Sequence, residues 1–264
     1  MNDNDPAPFL TELFSLKGFR AAVIGGTGVL GGRFVEVLAA AGAEVGVLGR
    51  SRERGEAAVR RVQDAGGAAW FCAVDVADRT SIERAAADAE SRGGIDILVN
   101  AAGVNSSTPF DELTDDEWQR LLDVNLSSMF KAVQAFSPQL RRRPGRASVI
   151  NISSASSGPP LSRVFGYGVA KAGVNNLTQY LARELAPEGV RVNAIVPGFF
   201  PAEQNRALLS EERIADIVRH TPMRRLGEAS ELDGALLWLA SPRASGFVTG
   251  ALIHVDGGFS AMTI

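Results

Sequence analysis

Tyr167 and Lys171 stand four residues apart in the stretch GYGVAK, residues 166–171. On a helix that spacing puts both side chains on one face. A phenol alone has a pKa near ~10 and is a poor acid or base at neutral pH. A neighbouring ammonium favours the phenolate and draws the pKa down, toward the range in which a general acid/base is useful. The pair is expected to carry a proton to and from an oxygen. A Tyr–Lys pair at this spacing is also a common surface feature, so it needs further groups around it to amount to a site.

A second chemical signal is glycine-rich. VIGGTGVLGG (23–32) follows an apolar run and opens an amphipathic one, and Gly26, Gly28 and Gly31 satisfy G-x-G-x-x-G. Gly25, Gly28 and Gly31 spell a slightly wider spacing of the same kind. Glycines there permit a tight turn and close approach of a pyrophosphate, and the following helix N-terminus offers unpaired N–H groups. The end of the next apolar run should meet the adenosine ribose, where a carboxylate would take the 2′-hydroxyl of NAD. This chain has LGRSRER instead, with Arg50 and Arg52 and no acid before Glu53. A guanidinium suits the 2′-phosphate of NADP, so NADP(H) is favoured over NAD(H). The alternative is that both arginines sit at a solvated helix start.

These groups need elements to hold them. Seven short apolar runs read as strands: 20–25, 44–49, 68–75, 95–100, 147–153, 190–196 and 251–256. Their near-continuous apolarity suits strands covered on both faces. Helical patterns cover 29–42, 115–136, 167–189 and 229–240. The alternation implies an α/β fold with a parallel sheet. No linker or repeat divides the chain, so the reading is a flexible tail over 1–13 and one domain over 14–264.

With these motifs in order, the sequence resembles the short-chain dehydrogenase/reductase family. The resemblance runs over about residues 14 to 259. It is carried by the glycine loop, Asp75–Val76, NAAG (100–103), VN (124–125), ISS (152–154), YGVAK (167–171), RVNAIVPG (191–198) and VTGALIHVDGG (248–258). It implies a Rossmann-type, doubly wound, seven-stranded parallel sheet in a single domain. It also implies a catalytic set of Asn125, Ser154, Tyr167 and Lys171, with Ser154 holding the substrate oxygen and Asn125 a relay water. Lys171 would also hold the nicotinamide ribose. The implied cofactor contacts are Gly25, Thr27, Gly28, Leu30, Gly31, Arg50, Asp75, Val76, Asn100, Ala101, Gly103, Tyr167, Lys171, Pro197 and Gly198. Two departures stand out: Val29 where a glycine is usual, and Ala202 where many relatives carry a threonine that holds the carboxamide.

Several stretches, PGFF with EQNRALL (197–209), HTPMRRLGE (220–228) and VDGGFSA (255–261), resemble the sugar-acid branch described as D-mannonate oxidoreductase. An acidic substrate needs a cation, and Arg163 and Arg206 are the candidates, since arginine pairs with carboxylates bidentately. The expected function is interconversion of a carbonyl and a secondary alcohol on a sugar acid or other polyhydroxylated small molecule. The alternative is a non-catalytic dinucleotide-binding or scaffold protein.

Bulk properties narrow the partners. The formal net charge is −3, which disfavours nucleic acid, and no apolar run suggests a membrane span. The acidic N-terminus is unlike a signal peptide. Cys72 is the only cysteine, which fits a reducing cytoplasm and reads as a small core residue. His220 and His254 have no metal-ligand spacing, so no metal is expected. RRRPGR (141–146) reads as a solvated helix end. The family resemblance further implies a homotetramer built on the helices around 115–136 and 167–189 and on the last strand.

Overall fold

In the computed structural model, residues 7–200 and 210–262 are described. The strands are β1 (Arg20–Ile24), β2 (Glu44–Gly49), β3 (Ala68–Ala73), β4 (Ile97–Asn100), β5 (Ser148–Ile152), β6 (Arg191–Pro197) and β7 (Leu252–Val255). All seven pair in parallel in the order β3-β2-β1-β4-β5-β6-β7. Each expected run meets one strand: β2 keeps the expected bounds, and the other six are shortened or shifted by a residue or two at the ends.

Among the described residues, the helices of eight residues or more are α1 (Ala7–Phe14), α2 (Val29–Ala40), α3 (Arg52–Asp64), α4 (Arg79–Ser91), α5 (Asp115–Leu122), α6 (Ser128–Arg141), α7 (Phe165–Leu185), α8 (Glu211–His220) and α9 (Asp233–Ala240). Successive strand residues alternate between two buried clusters. Ala21 and Val23 face α2, α3 and α9 through Phe34, Val62 and Leu236. Ala22 and Ile24 face α4, α6 and α7 through Ile82, Phe136 and Leu185. The central strands are thus covered on both faces, which explains their unbroken apolar sequence. The edge strand β3 is only half-buried.

Three expectations need correction. Residues 7–13, assigned to a flexible tail, lie in α1, whose Leu13 carbonyl accepts from Ser241 Oγ at 2.6 Å while Glu12 pairs with Arg243. Proline at the second helical position is tolerated because its missing N–H would be unpaired anyway. The single helix expected over 115–136 is two helices joined by a π-helical turn, Asp123–Ser127. The basic run at 141–146 is not simply solvated: Arg141 pairs with Glu188, Arg142 with Glu90, and Arg143 and Arg146 reach Asp96. These pairs tie the end of α6 to the base of the sheet. Cys72 is half-buried, and burial pushes its thiol pKa up.

The strand order reverses between β1 and β4. In open parallel sheets the crevice outside the strand C-termini at such a point is where ligands bind, and the glycine turn, Asn100 and Ser154 all lie at that end.

Candidate active site

The turn after β1 is shaped by its glycines. Gly25 has φ +87°, and a Cβ on it would come within 2.6 Å of the Ala102 nitrogen. A Cβ on Gly31 would overlap the Gly25 carbonyl oxygen, so the α2 backbone lies directly on the turn. Gly28, the residue before α2, provides no side-chain cap. The leading N–H groups of α2 therefore have no capping side chain, as a site for a diphosphate requires. Thr27 packs against Gly49 at the end of β2. Val29 is exposed at the start of α2, and Leu30 is half-buried.

Just beyond β2, Arg50 is exposed and makes no hydrogen bond or ion pair among the described residues. Arg52 is engaged, 3.2 Å from Glu56 and stacked over Phe71 at 5.7 Å. Asp75 is exposed beside half-buried Val76 and accepts from Ala77 N at 3.0 Å. Asn100 is buried and donates to Asn151 Oδ1 at 2.9 Å, while Asn151 donates to Thr178 Oγ1 at 3.0 Å. The ladder joins β4, β5 and α7. Asn100 Oδ1 is buried with no partner among the described residues. Ala101 follows, half-buried. A Cβ on Gly103 would lie 2.9 Å from Asn125 Oδ1 and 3.8 Å from Lys171 Nζ. Pro197 ends β6, and Gly198 sits so close to Asp256 that a Cβ would reach its Cα at 2.7 Å. Uncapped amides, a free guanidinium and glycines at each close approach fit a dinucleotide. Among the described residues there is no cluster able to hold a metal ion.

Tyr167 lies in the first turn of α7, with Lys171 one turn on and its Nζ 5.6 Å from the tyrosine ring centroid. Lys171 is buried and donates to the Ile152 carbonyl at 2.7 Å. Burial brings its pKa down to about 7. Burial pushes the Tyr167 phenol up, and the Ser154 hydroxyl offsets part of that rise. This corrects the expectation that the neighbouring ammonium draws the phenol down: desolvation is the largest influence on both groups, and the Ser154 hydroxyl is what lowers the phenol.

Ser154 precedes a 3₁₀ turn, Ala155–Ser157. Its Oγ accepts from Ser156 N at 3.1 Å, and its carbonyl accepts from Ser157 Oγ at 2.6 Å. Asn125 sits fully buried in the π turn. Its Nδ2 donates to Val104 O at 2.9 Å and Leu121 O at 2.8 Å, and its Oδ1 accepts from Val104 N at 3.1 Å. Both donors and one acceptor position of the amide are committed to backbone. The side chain clamps the segment after β4 against the π turn and satisfies a carbonyl near the helix irregularity.

Beyond this set lies a cleft of about 460 Å³ between the 158–164 loop, Phe199, α8 and Phe259. Its charged lining is Arg213, Arg219 and Asp216, with the His220 imidazole beside them. Arg213 Nη2 donates to Ser162 O at 3.2 Å, bridging α8 to the loop, whereas Arg219 pairs with Asp216. His220 meets Phe259 edge-on at 4.5 Å. Arg163 is exposed with φ +63° on the same loop but does not line the cleft. Arg206 and Ala202 lie outside the described residues. Arg213 escaped the sequence reading because α8 carries several charges, and only the fold shows which of them turns inward.

Comparison with known proteins bears on this geometry. A family described as Enoyl-(Acyl carrier protein) reductase matches residues 28–260. An uncharacterised oxidoreductase, UxuB, of Bacillus subtilis is 40% identical, with 94% of this chain and 96% of that protein covered. The chain belongs to the short-chain dehydrogenase/reductase family. This short-chain dehydrogenase/reductase is therefore read as an oxidoreductase using a nicotinamide dinucleotide, rather than as a scaffold. A gluconate 5-dehydrogenase from Burkholderia cenocepacia, solved in complex with NADP and tartrate, superposes with TM-score 0.91 at 34% identity, over 96% of this chain and 100% of that one. A Haemophilus influenza structure, described as a D-mannonate oxidoreductase candidate with bound NAD, has TM-score 0.90 at 30% identity, covering 96% and 99%. The enzyme's describable helices include none long and apolar enough to cross a membrane.

Proposed function

We propose that this enzyme interconverts the keto and hydroxyl forms of a sugar acid, with NADP(H) preferred. The observation that carries the substrate class is the arginine-lined cleft flanked by the loop that joins Ser154 to Tyr167. Arg213 offers a guanidinium there with no acidic partner among the described residues, and arginine is the side chain best matched to a carboxylate. The gluconate 5-dehydrogenase and D-mannonate oxidoreductase descriptions of similar structures support the same class. Arg163 is kept as a second cation at the mouth.

The residues divide the work as follows. Gly25, Thr27, Gly28, Leu30 and Gly31 receive the diphosphate, Arg50 the 2′-phosphate, and Asp75 and Val76 the adenine. Asn100, Ala101, Gly103, Pro197 and Gly198 line the crevice toward the nicotinamide end. The nicotinamide carries the hydride. Ser154 holds the reacting oxygen. Tyr167 gives that oxygen a proton in reduction and takes the hydroxyl proton in oxidation. Lys171 holds the ribose and supplies positive charge when protonated. Asn125 holds the Val104 backbone and the π turn. The NADP preference rests on Arg50, because similar structures are found with either cofactor.

Titration of NADPH and NADH into the enzyme, then turnover on paired substrates, tests this. A keto sugar acid and its neutral keto-sugar counterpart form each pair. Higher kcat/KM for the acid, and a KM that rises at least ~10-fold for the acid alone in Arg213→Ala, are expected from loss of a charged hydrogen bond. Equal treatment of acid and neutral substrates by wild type would refute the substrate class. Tighter NADH than NADPH binding would refute the role of Arg50 and leave the catalytic set standing. We further propose a cytoplasmic homotetramer, supported by the lone thiol and by apolar side chains exposed on α6 and α7.

A further inference from the structure

We propose that Asn175 and Ser157 form a positioning relay that holds Ser154 against the helix bearing Tyr167 and Lys171. The inference rests on the reading of Ser154 and Tyr167 as the reacting pair. Asn175 is on α7, one turn beyond Lys171 and two beyond Tyr167. Its Nδ2 donates to Ser157 Oγ at 2.8 Å. Ser157 Oγ in turn donates to the Ser154 carbonyl at 2.6 Å. The backbone N–H of Ser157 donates to the same carbonyl at 2.9 Å. The Ser154 hydroxyl is fixed from its other side by Ser156 N. One amide thus connects α7 to the short turn that aims the serine. On the opposite side, Ser153 Oγ donates to the Lys171 carbonyl at 3.3 Å, so both serines that follow β5 are tied to α7.

The amide is a poor choice for stability alone. Asn175 Oδ1 is buried and has no hydrogen-bond partner among the described residues. A buried acceptor left unpaired costs about 1–3 kcal/mol, comparable to what the donor end returns. A leucine of similar size would avoid that cost and fill the same space. Local choices that lose stability without an evident packing gain concentrate at functional sites. What the amide adds is direction: it orients the Ser157 hydroxyl so that its one proton points at the Ser154 carbonyl. Misplacement of a positioned group by even ~1 Å can cost on the order of 10²-fold in rate.

The relay has a signature that mere folding support lacks. The Ser154 hydroxyl lowers the phenol of Tyr167. The charged group recorded against that ring among the described residues is Lys171, on the same helix. If Ser154 loosens, the phenol loses this stabilisation and its pKa rises, while Lys171 keeps its Ile152 contact. In the oxidation direction the phenolate is the working base, so the rising limb of kcat against pH moves to higher pH.

The test compares Asn175→Leu, Ser157→Ala, their double variant and Ser157→Thr, with Ser154→Ala and Tyr167→Phe as references. Expected are a kcat lower by roughly 10-fold in each single variant and a limb displaced upward by about half a pH unit, the scale of one lost hydrogen bond. Dinucleotide Kd should stay within about twofold, because the relay touches no group assigned to cofactor. The double variant should be no worse than either single, since both break one chain. Ser157→Thr, which keeps the hydroxyl, should restore activity. Wild-type kcat in Asn175→Leu, additive losses, or losses that follow Tm without moving the pH limb would each overturn the relay. If Asn175→Leu does not fold, Ser157→Ala at the half-exposed turn carries the same readouts. Full activity in Ser154→Ala would instead overturn the reading of the catalytic pair, which separates the two failures.

Discussion

At the scale of single residues, the decisive property is the charge state of buried groups. Lys171 is only 3% exposed, and burial places its pKa at about 7 against an unfolded value of 10.5. Between those values the unfolded chain binds more protons than the folded one. Stability of the cofactor-free enzyme should therefore rise with pH from 7 toward 10, with a slope of up to about 1.4 kcal/mol per pH unit from this group. Tyr167 acts oppositely above its unfolded value of 10.0: its raised pKa keeps a proton in the fold that the unfolded chain loses, so stability falls there. Melting of cofactor-free wild type and Lys171→Met between pH 6.5 and 9.5 checks this. The variant should show a flatter profile, and parallel profiles would mean the lysine is charged and solvated at neutral pH. Tyr167→Phe should lower turnover by at least ~10²-fold while keeping dinucleotide binding, the effect of removing a general acid/base, measured by single-turnover absorbance. The identities and spacing of this pair were legible in the sequence. The direction of both shifts was not, because desolvation depends on what the rest of the chain places around the pair.

Among the elements, the glycine turn and the π turn show how far local pattern reaches. The strand–turn–helix order around residues 23–32 was readable, since glycine punctuation and a change of hydrophobic period are local signals. Which glycines are obligatory was not, because the answer lies in contacts with Ala102 and within the turn itself. The structure separates them. A Cβ on Gly31 would overlap Gly25, whereas one on Gly28 meets only the Gly25 carbonyl, at 3.3 Å, with an ordinary φ of −90°. Gly31→Ala should destabilise the fold by about 1–3 kcal/mol, as overpacking does. Gly28→Ala should melt within a few degrees of wild type yet bind dinucleotide at least ~10-fold more weakly, since a methyl would stand where a diphosphate must approach. Differential scanning calorimetry beside fluorescence titration distinguishes the two, and equal loss of stability would refute the assignment. The π turn at Asp123–Ser127 escaped the sequence reading for a related reason. It shifts the helical ladder locally, and what stabilises it is the clamp of Asn125 on Val104, a contact 21 residues away in the chain.

For the whole molecule, the question is which surfaces are finished. The β3 edge is managed within the chain: Arg92 lies 4.5 Å over Trp70, and Arg52 covers Phe71. Such cover blunts an edge that would otherwise pair with another sheet. At the opposite edge, β7 is half-exposed with no arginine stacked on it among the described residues, and Phe247 just before it is fully exposed. A second apolar face carries Phe130 on α6 with Val169 and Tyr180 on α7, Tyr180 being 64% exposed. Two separate apolar faces suit two self-complementary interfaces, and two such two-fold contacts close a tetramer with dihedral symmetry. Each interface should then fail independently. Phe247→Asp should leave a dimer joined through α6 and α7, and Tyr180→Glu a dimer joined through the β7 edge. The combined variant should be a monomer. Light scattering at micromolar protein reads all three masses directly. The proposed catalytic groups and crevice all come from one chain, so the dimers should retain cofactor binding. A wild type that is monomeric at that concentration would refute both interfaces, and a tetramer untouched by Phe247→Asp would refute the one at β7.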